Sequence, residues 1–139
     1  MSEEPEIINE TRMYFEGYIY TRARLPIDRT TYWDCVRVRD KECRARGRTV
    51  RAPNGQIVLV QGPEQSLHMH APNREEVEAE KLQYRLKRIA DEDENTPLDD
   101  ILRQELHGVR SGILSQLPKR ESLKQSMRRV RKMKENYQN

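Results

Sequence analysis

The apolar positions change period along this chain. In the first half they alternate. "YIYTRAR" (18–24) places Tyr18, Tyr20 and Arg22 on one face of an extended segment, and "TTYWDCVRV" (30–38) has the same β-branched and aromatic character. "CRARGRTVR" (43–51) and "QIVLVQ" (56–61) flank "PNG", and Asn-Gly between strand-like runs signals a hairpin. Beyond His70 the period becomes helical. Asn73 followed by Glu76 has capping-box spacing, and Leu82, Leu86 and Ile89 then form one stripe. "DEDEN" interrupts it. Thr96 as cap and Pro97 in the first turn open a second helix with Leu98, Ile101, Leu102 and Leu106 on one side, and Gly108 closes it. Gly112 and Pro118 punctuate the segment beyond that helix. A third helix, 119–135, carries Leu123, Met127 and Val130 on one face and basic residues nearly everywhere else.

The expected fold is therefore α+β: a small antiparallel sheet of about four strands, then an α-helical extension of about three helices. The expected divisions are an acidic tail (1–11), a β module (12–72), a helix (73–91), an acidic linker (92–95) and a helical extension ending in a basic helix (96–139). No internal repeat is visible.

Composition adds a constraint. Only 35% of the 139 residues are hydrophobic and 35% are charged, which is polar for one packed core. A chain this poor in apolar residues calls for a metal, a disulfide or a partner. No run approaches the ~18 apolar residues of a membrane span. The acidic start, "MSEEPEIINE", is unlike a signal peptide, so a reducing compartment is expected, where paired cysteines serve more often as metal ligands than as disulfides.

The net charge of +3 hides alternating blocks. Residues 1–16 sum to −4, 17–73 to +5, 74–106 to −5 and 117–134 to +7, counting Lys and Arg against Asp and Glu. Two basic blocks separated by an acidic one suggest nucleic acid as a partner; a merely solvated surface is the plainer alternative. Arg44, Arg46 and Arg48 share one strand face, Arg37 and Arg39 share a face of the preceding run, and Arg22 and Arg24 extend the set. Arginines on strands can bind phosphates or read guanine edges in the major groove. In the C-terminal helix Lys119, Arg120, Lys124, Arg128, Arg129, Arg131 and Lys132 could bind DNA phosphates, and Lys119-Arg120 with Arg128-Arg129 could form a nuclear import signal. The stripe of Leu98, Ile101, Leu102, Leu106, Leu123, Met127 and Val130 could pack internally, on a protein partner or on a second copy.

The two cysteines, Cys35 and Cys43, lie in neighbouring strand-like runs with residue 39 midway, so a turn there would set them opposite each other at the ~5 Å Cβ spacing of paired strand residues. A tetrahedral zinc site needs two more ligands, and "LHMHAP" supplies His68 and His70. On an extended segment residues i and i+2 point the same way, so both imidazoles can face one ion. Buried thiols, a disulfide and surface histidines are the alternatives for the separate fragments; the combination points to one structural zinc ion. His107, the remaining histidine, sits near a helix end, where capping or solvent exposure is expected.

Residues 12–72 resemble the FLYWCH-type zinc finger, a relative of the WRKY and glial-cells-missing DNA-binding domains. The likeness is carried by "FEGYIY", "TYWDC", "CRAR" and "HMH" followed by "AP". It implies Cys35, Cys43, His68 and His70 as zinc ligands in a small antiparallel sheet. Asp34 departs from the family pattern, which has a basic residue there. More weakly, "LPKRESLKQSMRRVR" (117–131) resembles the helical stretch after the finger in Mutator-like transposase proteins.

Nothing in the sequence suggests catalysis. There is no phosphate loop and no nucleophile elbow, and four protein ligands would close the zinc site. The function expected is zinc-dependent, sequence-specific binding of double-stranded DNA in the nucleus, as a transcriptional regulator or a transposase-derived targeting module, with no membrane or small-molecule substrate. The alternative is a zinc-stabilised protein adaptor whose helices recruit a nuclear complex.

Overall fold

The computed structural model describes residues 4–38, 43–61 and 68–138. It is α+β, with two compact units, residues 1–74 and 75–139.

Among the described residues, the first unit is a curled antiparallel sheet of six strands whose spatial order follows the sequence: β1 (Glu6–Ile8), β2 (Arg12–Phe15), β3 (Tyr18–Arg22), β4 (Thr30–Cys35), β5 (Arg46–Arg51) and β6 (Ile57–Gln61). The last four occupy the expected runs. The other two raise the count above the expected four, because the stretch read as an acidic tail supplies an edge strand. Ile7 pairs with Met13 across a short loop in which Asn9 and Glu10 have positive φ. The β2–β3 turn is a two-residue one, Glu16-Gly17, with both φ positive, as the twist of a tight hairpin requires. Asn54-Gly55 turns β5 into β6, with Gly55 at φ +88.

Register assigns the two sheet faces. Met13 pairs with Tyr20, Tyr20 with Cys35, and Trp33 with Gly47. One face therefore holds the core of Met13, Phe15, Tyr18, Tyr20, Trp33, Cys35, Cys43 and Ala45, with Ile7 and Leu59 beside it. Trp33 is almost fully buried and its indole N–H donates to the Thr49 hydroxyl at 2.9 Å. This meets the polar need of a buried indole.

The second unit contains α1 (Arg74–Glu92), α2 (Leu98–Leu106), α3 (Ser111–Leu114) and α4 (Arg120–Gln138). The one-turn α3 is the addition to the three expected helices. The cap expected at Thr96 is not made. Pro97 precedes α2 without a side-chain cap, and the Thr96 hydroxyl donates to the Asp93 carboxylate at 2.6 Å. Leu86 and Ala90 of α1, Ile101 and Leu102 of α2, and Leu123 and Met127 of α4 form one buried cluster, joined by Ile89, Leu98 and Leu106. The apolar stripe is thus largely the unit's own core; Val130 lies half-buried outside that cluster.

Candidate metal centre

Four side chains converge at one end of the core face. The Cys35 sulfur lies 3.2 Å from His70 Nε2, and the Cys43 sulfur 3.2 Å from His68 Nδ1. One ligand atom from each residue lies within 4.8 Å of the other three. A tetrahedral zinc ion with bonds of about 2.3 Å to sulfur and about 2.0 Å to nitrogen sets S···N edges of about 3.5 Å. The two Cys–His edges match that size to within a few tenths of an ångström.

The backbone route to this cluster differs from the expected one. Asp34 pairs with Arg46, so Cys35 stands across from Ala45, to which its N–H donates at 3.1 Å. Cys43 is the diagonal neighbour on the same face. The strand ends at Cys35 and continues as a 3-10 turn over Val36–Val38, where the Arg37 carbonyl accepts from the Cys43 N–H at 3.2 Å. The chain leaves the ladder to bring the second sulfur back beside the first. Both cysteines are buried and free, so no disulfide joins them.

The histidines arrive from a non-helical segment and are held from outside. The Tyr18 ring stacks on His68 at 3.5 Å between centroids, with 4° between planes. The Tyr18 hydroxyl donates to the His70 carbonyl at 3.1 Å. The Tyr20 hydroxyl lies 2.6 Å from His68 Nε2, the nitrogen turned away from the sulfurs. Beyond His70, the Asn73 N–H donates to the Gly17 carbonyl at 2.8 Å, tying this segment to the β2–β3 turn. Sequence reasoning singles out neither Tyr18 nor Tyr20 for the metal centre. The signal is nonetheless present, since Tyr-x-Tyr and His-x-His share a two-residue period and can face each other.

Burial sets the electrostatics. It pushes the Cys35 thiol up to about 12 and pulls the His68 imidazole down to about 4, where the nearby His70 acts in the same direction. A neutral His68 imidazole is a ready ligand, but two thiolates this close need a cation between them. A divalent ion with two thiolates and two imidazoles has zero net charge, which suits a desolvated site. The donor set therefore fits zinc.

The arginines sort by face. Gly47 and Thr49 are buried on the metal side of β5, so alternation directs Arg46 and Arg48 to the opposite face, with Arg44 in line just before the strand. Arg44 and Arg46 are exposed and Arg48 is half-buried. Arg46 pairs with Asp34 at 3.4 Å, giving that departure from the family pattern a local partner. Arg24 joins the same face, its guanidinium 4.3 Å from the Tyr32 ring centroid. Arg22 shares the metal side and donates to the Glu10 carbonyl at 3.3 Å. Arg37 lies in the 3-10 turn, so it shares no strand face with its neighbours; Arg39 lies outside the described residues.

The basic helix is also divided. Arg131 donates to the carbonyls of Ala90, Asp93 and Thr96 at 3.0, 2.6 and 2.7 Å. Arg120 and Lys124 pair with Asp99 at 3.1 and 3.2 Å, and these partners hold its carboxyl below the usual range. Lys119, Arg128, Arg129 and Lys132 are exposed. His107 is exposed at the end of α2.

Among known protein families, the FLYWCH zinc finger domain matches residues 9–70, a span that ends on the last of the four converging ligands. That span, 62 of the 139 residues, resembles a FLYWCH zinc finger. No curated protein and no solved structure matches the chain. The FLYWCH finger is a binding domain and not a catalytic family, and its cysteine and histidine cluster is compatible with zinc. The helical unit lies beyond the matched span.

Proposed function

We propose that the FLYWCH finger holds one structural zinc ion on Cys35, Cys43, His68 and His70 and binds double-stranded DNA in a sequence-specific manner. The observation that carries this reading is the separation of chemistries: the ligands occupy one sheet face, and Arg24, Arg44, Arg46 and Arg48 mark the other. The metal fixes the register of β4 against the chain leading into β5, and with it the spacing of the arginines. In the Arg46–Asp34 pair the arginine is exposed and the aspartate half-buried, and solvent-accessible pairs contribute roughly 0–1 kcal/mol, so a phosphate or guanine can compete for Arg46 at modest cost. Lys119, Arg128, Arg129 and Lys132 would add phosphate contacts or serve nuclear import. The role proposed is that of a nuclear transcriptional regulator or a transposase-derived targeting module. An adaptor reading would have to use other surfaces than Leu98, Ile101, Leu102, Leu106, Leu123 and Met127, which pack on one another.

The test is a binding selection of the full chain against random duplex DNA, with zinc and with a chelator. The expected result is an enriched motif only with zinc. Neutralising Arg44, Arg46 or Arg48 should weaken binding and flatten its salt dependence, the slope falling by about one for each arginine that touches a phosphate. Arg22→Ala, on the metal side, should leave the slope unchanged. An absence of any enriched motif at saturating zinc would overturn the proposal.

A further inference from the structure

We propose that Tyr20 is a positioning residue of the metal centre: its hydroxyl holds His68 in the orientation that presents Nδ1, rather than Nε2, to the ion. This rests on the zinc reading of the cluster.

An imidazole has two nitrogens, and the one that ligates is set by what the other one bonds. His68 has Nδ1 3.2 Å from the Cys43 sulfur and Nε2 2.6 Å from the Tyr20 oxygen. His70 does the opposite, with Nε2 3.2 Å from the Cys35 sulfur. The two histidines of one His-x-His pair therefore use different nitrogens. That asymmetry has a local cause. A ring flip at His68 would remove Nε2 from the phenol and leave a buried hydroxyl without its partner, since Tyr20 is almost fully buried. With a metal on Nδ1, Nε2 carries the proton and donates it to the Tyr20 oxygen.

The other degree of freedom is also restrained. Tyr18 lies flat against the His68 ring and fixes its plane, while the Tyr20 hydroxyl fixes its rotation within that plane. Tyr20 itself is anchored on β3 by pairing with Met13 on one side and Cys35 on the other. The strand that positions the hydroxyl is thus paired to the strand that carries a ligand, and displacement of one is felt by the other.

The test uses the full chain loaded with zinc, with nitrogen-15 correlation spectra of its histidine rings and zinc affinity from competition with a chromophoric chelator. In the wild type, His68 should show metal on Nδ1 and a slowly exchanging Nε2 proton, and His70 metal on Nε2. Tyr20→Phe should expose the His68 Nε2 proton to exchange and lower zinc affinity about 10–100-fold, as loss of an outer partner does. Tyr14→Phe removes a buried phenol hydroxyl from the other sheet face and should leave affinity and spectrum unchanged. Metal on Nε2 of His68 in the wild type overturns the proposal even if the Tyr20 variant fails to fold, and so does an unchanged affinity in Tyr20→Phe. A wild type that takes up no zinc would instead refute the zinc reading beneath it.

Discussion

Replacing Arg131 with alanine should destabilise the helical unit far more than replacing its exposed neighbour Arg128. Helix α1 ends in an acidic run, Asp91 to Glu94, and its last turn contains no basic residue. Its carbonyl end, already partly negative, therefore lacks the cation that normally offsets it. Arg131 supplies that cation from α4, through hydrogen bonds to the Ala90, Asp93 and Thr96 carbonyls. Two of the three bonds are half-buried and one is exposed. Hydrogen bonds from a charged donor contribute about 1.5–3 kcal/mol each, but these carbonyls can partly rehydrate, so ~1 kcal/mol for each half-buried bond and less for the exposed one is reasonable. The sum is ~2–3 kcal/mol, or roughly 10–20 °C in the midpoint of a unit this small. The assay is thermal unfolding followed by far-ultraviolet circular dichroism at saturating zinc. Arg128→Ala should fall within ~0.5 kcal/mol of the wild type, as surface substitutions do. Arg131→Lys should fall between, because an ammonium keeps the charge but cannot fork across three carbonyls. Equal midpoints for the Arg131 and Arg128 alanine variants, with DNA affinity lost only in the former, would refute the capping account and make Arg131 a nucleic-acid contact.

Stripping zinc with a chelator should abolish near-ultraviolet aromatic signal from the finger while far-ultraviolet helical signal persists. Zinc affinity should rise with pH, because protons compete for the thiols, and a proton-release assay on binding checks this. Apart from the metal, His68 titrates lower in the folded chain than its ordinary value of 6.5, at about 4, so the unfolded chain binds the extra proton between those values. Stability of the finger should therefore fall as pH drops through that window, measurable as a falling urea midpoint. Gly17→Ala should loosen both the hairpin and the metal centre: its φ is +83, and a Cβ there would lie 2.9 Å from Pro72 Cβ, just past His70. A loss of at least ~1 kcal/mol is expected, with weaker zinc retention in the same competition assay. Leu102→Ala, at a fully buried position, should cost about 2–5 kcal/mol in urea unfolding and leave zinc affinity unchanged.

The runs at 18–24, 30–38, 43–51 and 56–61 were legible as strands because alternation and turn residues agree there. The strands at Glu6–Ile8 and Arg12–Phe15 were not, because three or four residues give too short a window for a period, and the acids around Ile7 and Ile8 resemble a tail. The four residues that converge were legible from residue type and spacing. The register that assembles them was not, since Cys35 faces Ala45 and is followed by a 3-10 turn over Val36–Val38, which alternation cannot reveal. Among the basic residues, the sequence shows how many charges a helix bears but not which ones are consumed. Arg120 and Lys124 meet Asp99, and Arg131 meets carbonyls 35 to 41 positions earlier, separations invisible to a helical wheel. The stripe of Leu123 and Met127 posed the same difficulty, because an amphipathic face looks alike whether it packs within the chain or on another molecule.

The neighbour-to-neighbour order of the six strands bears on how the finger is born. Each strand can zip onto the one before it as synthesis proceeds, so the ladder demands little long-range searching and should form quickly. The imidazoles come only after the last strand. A nascent chain halted before His68 would expose both sulfurs with no nitrogen donor beside them, and the proposed ion would act as the final latch rather than the seed.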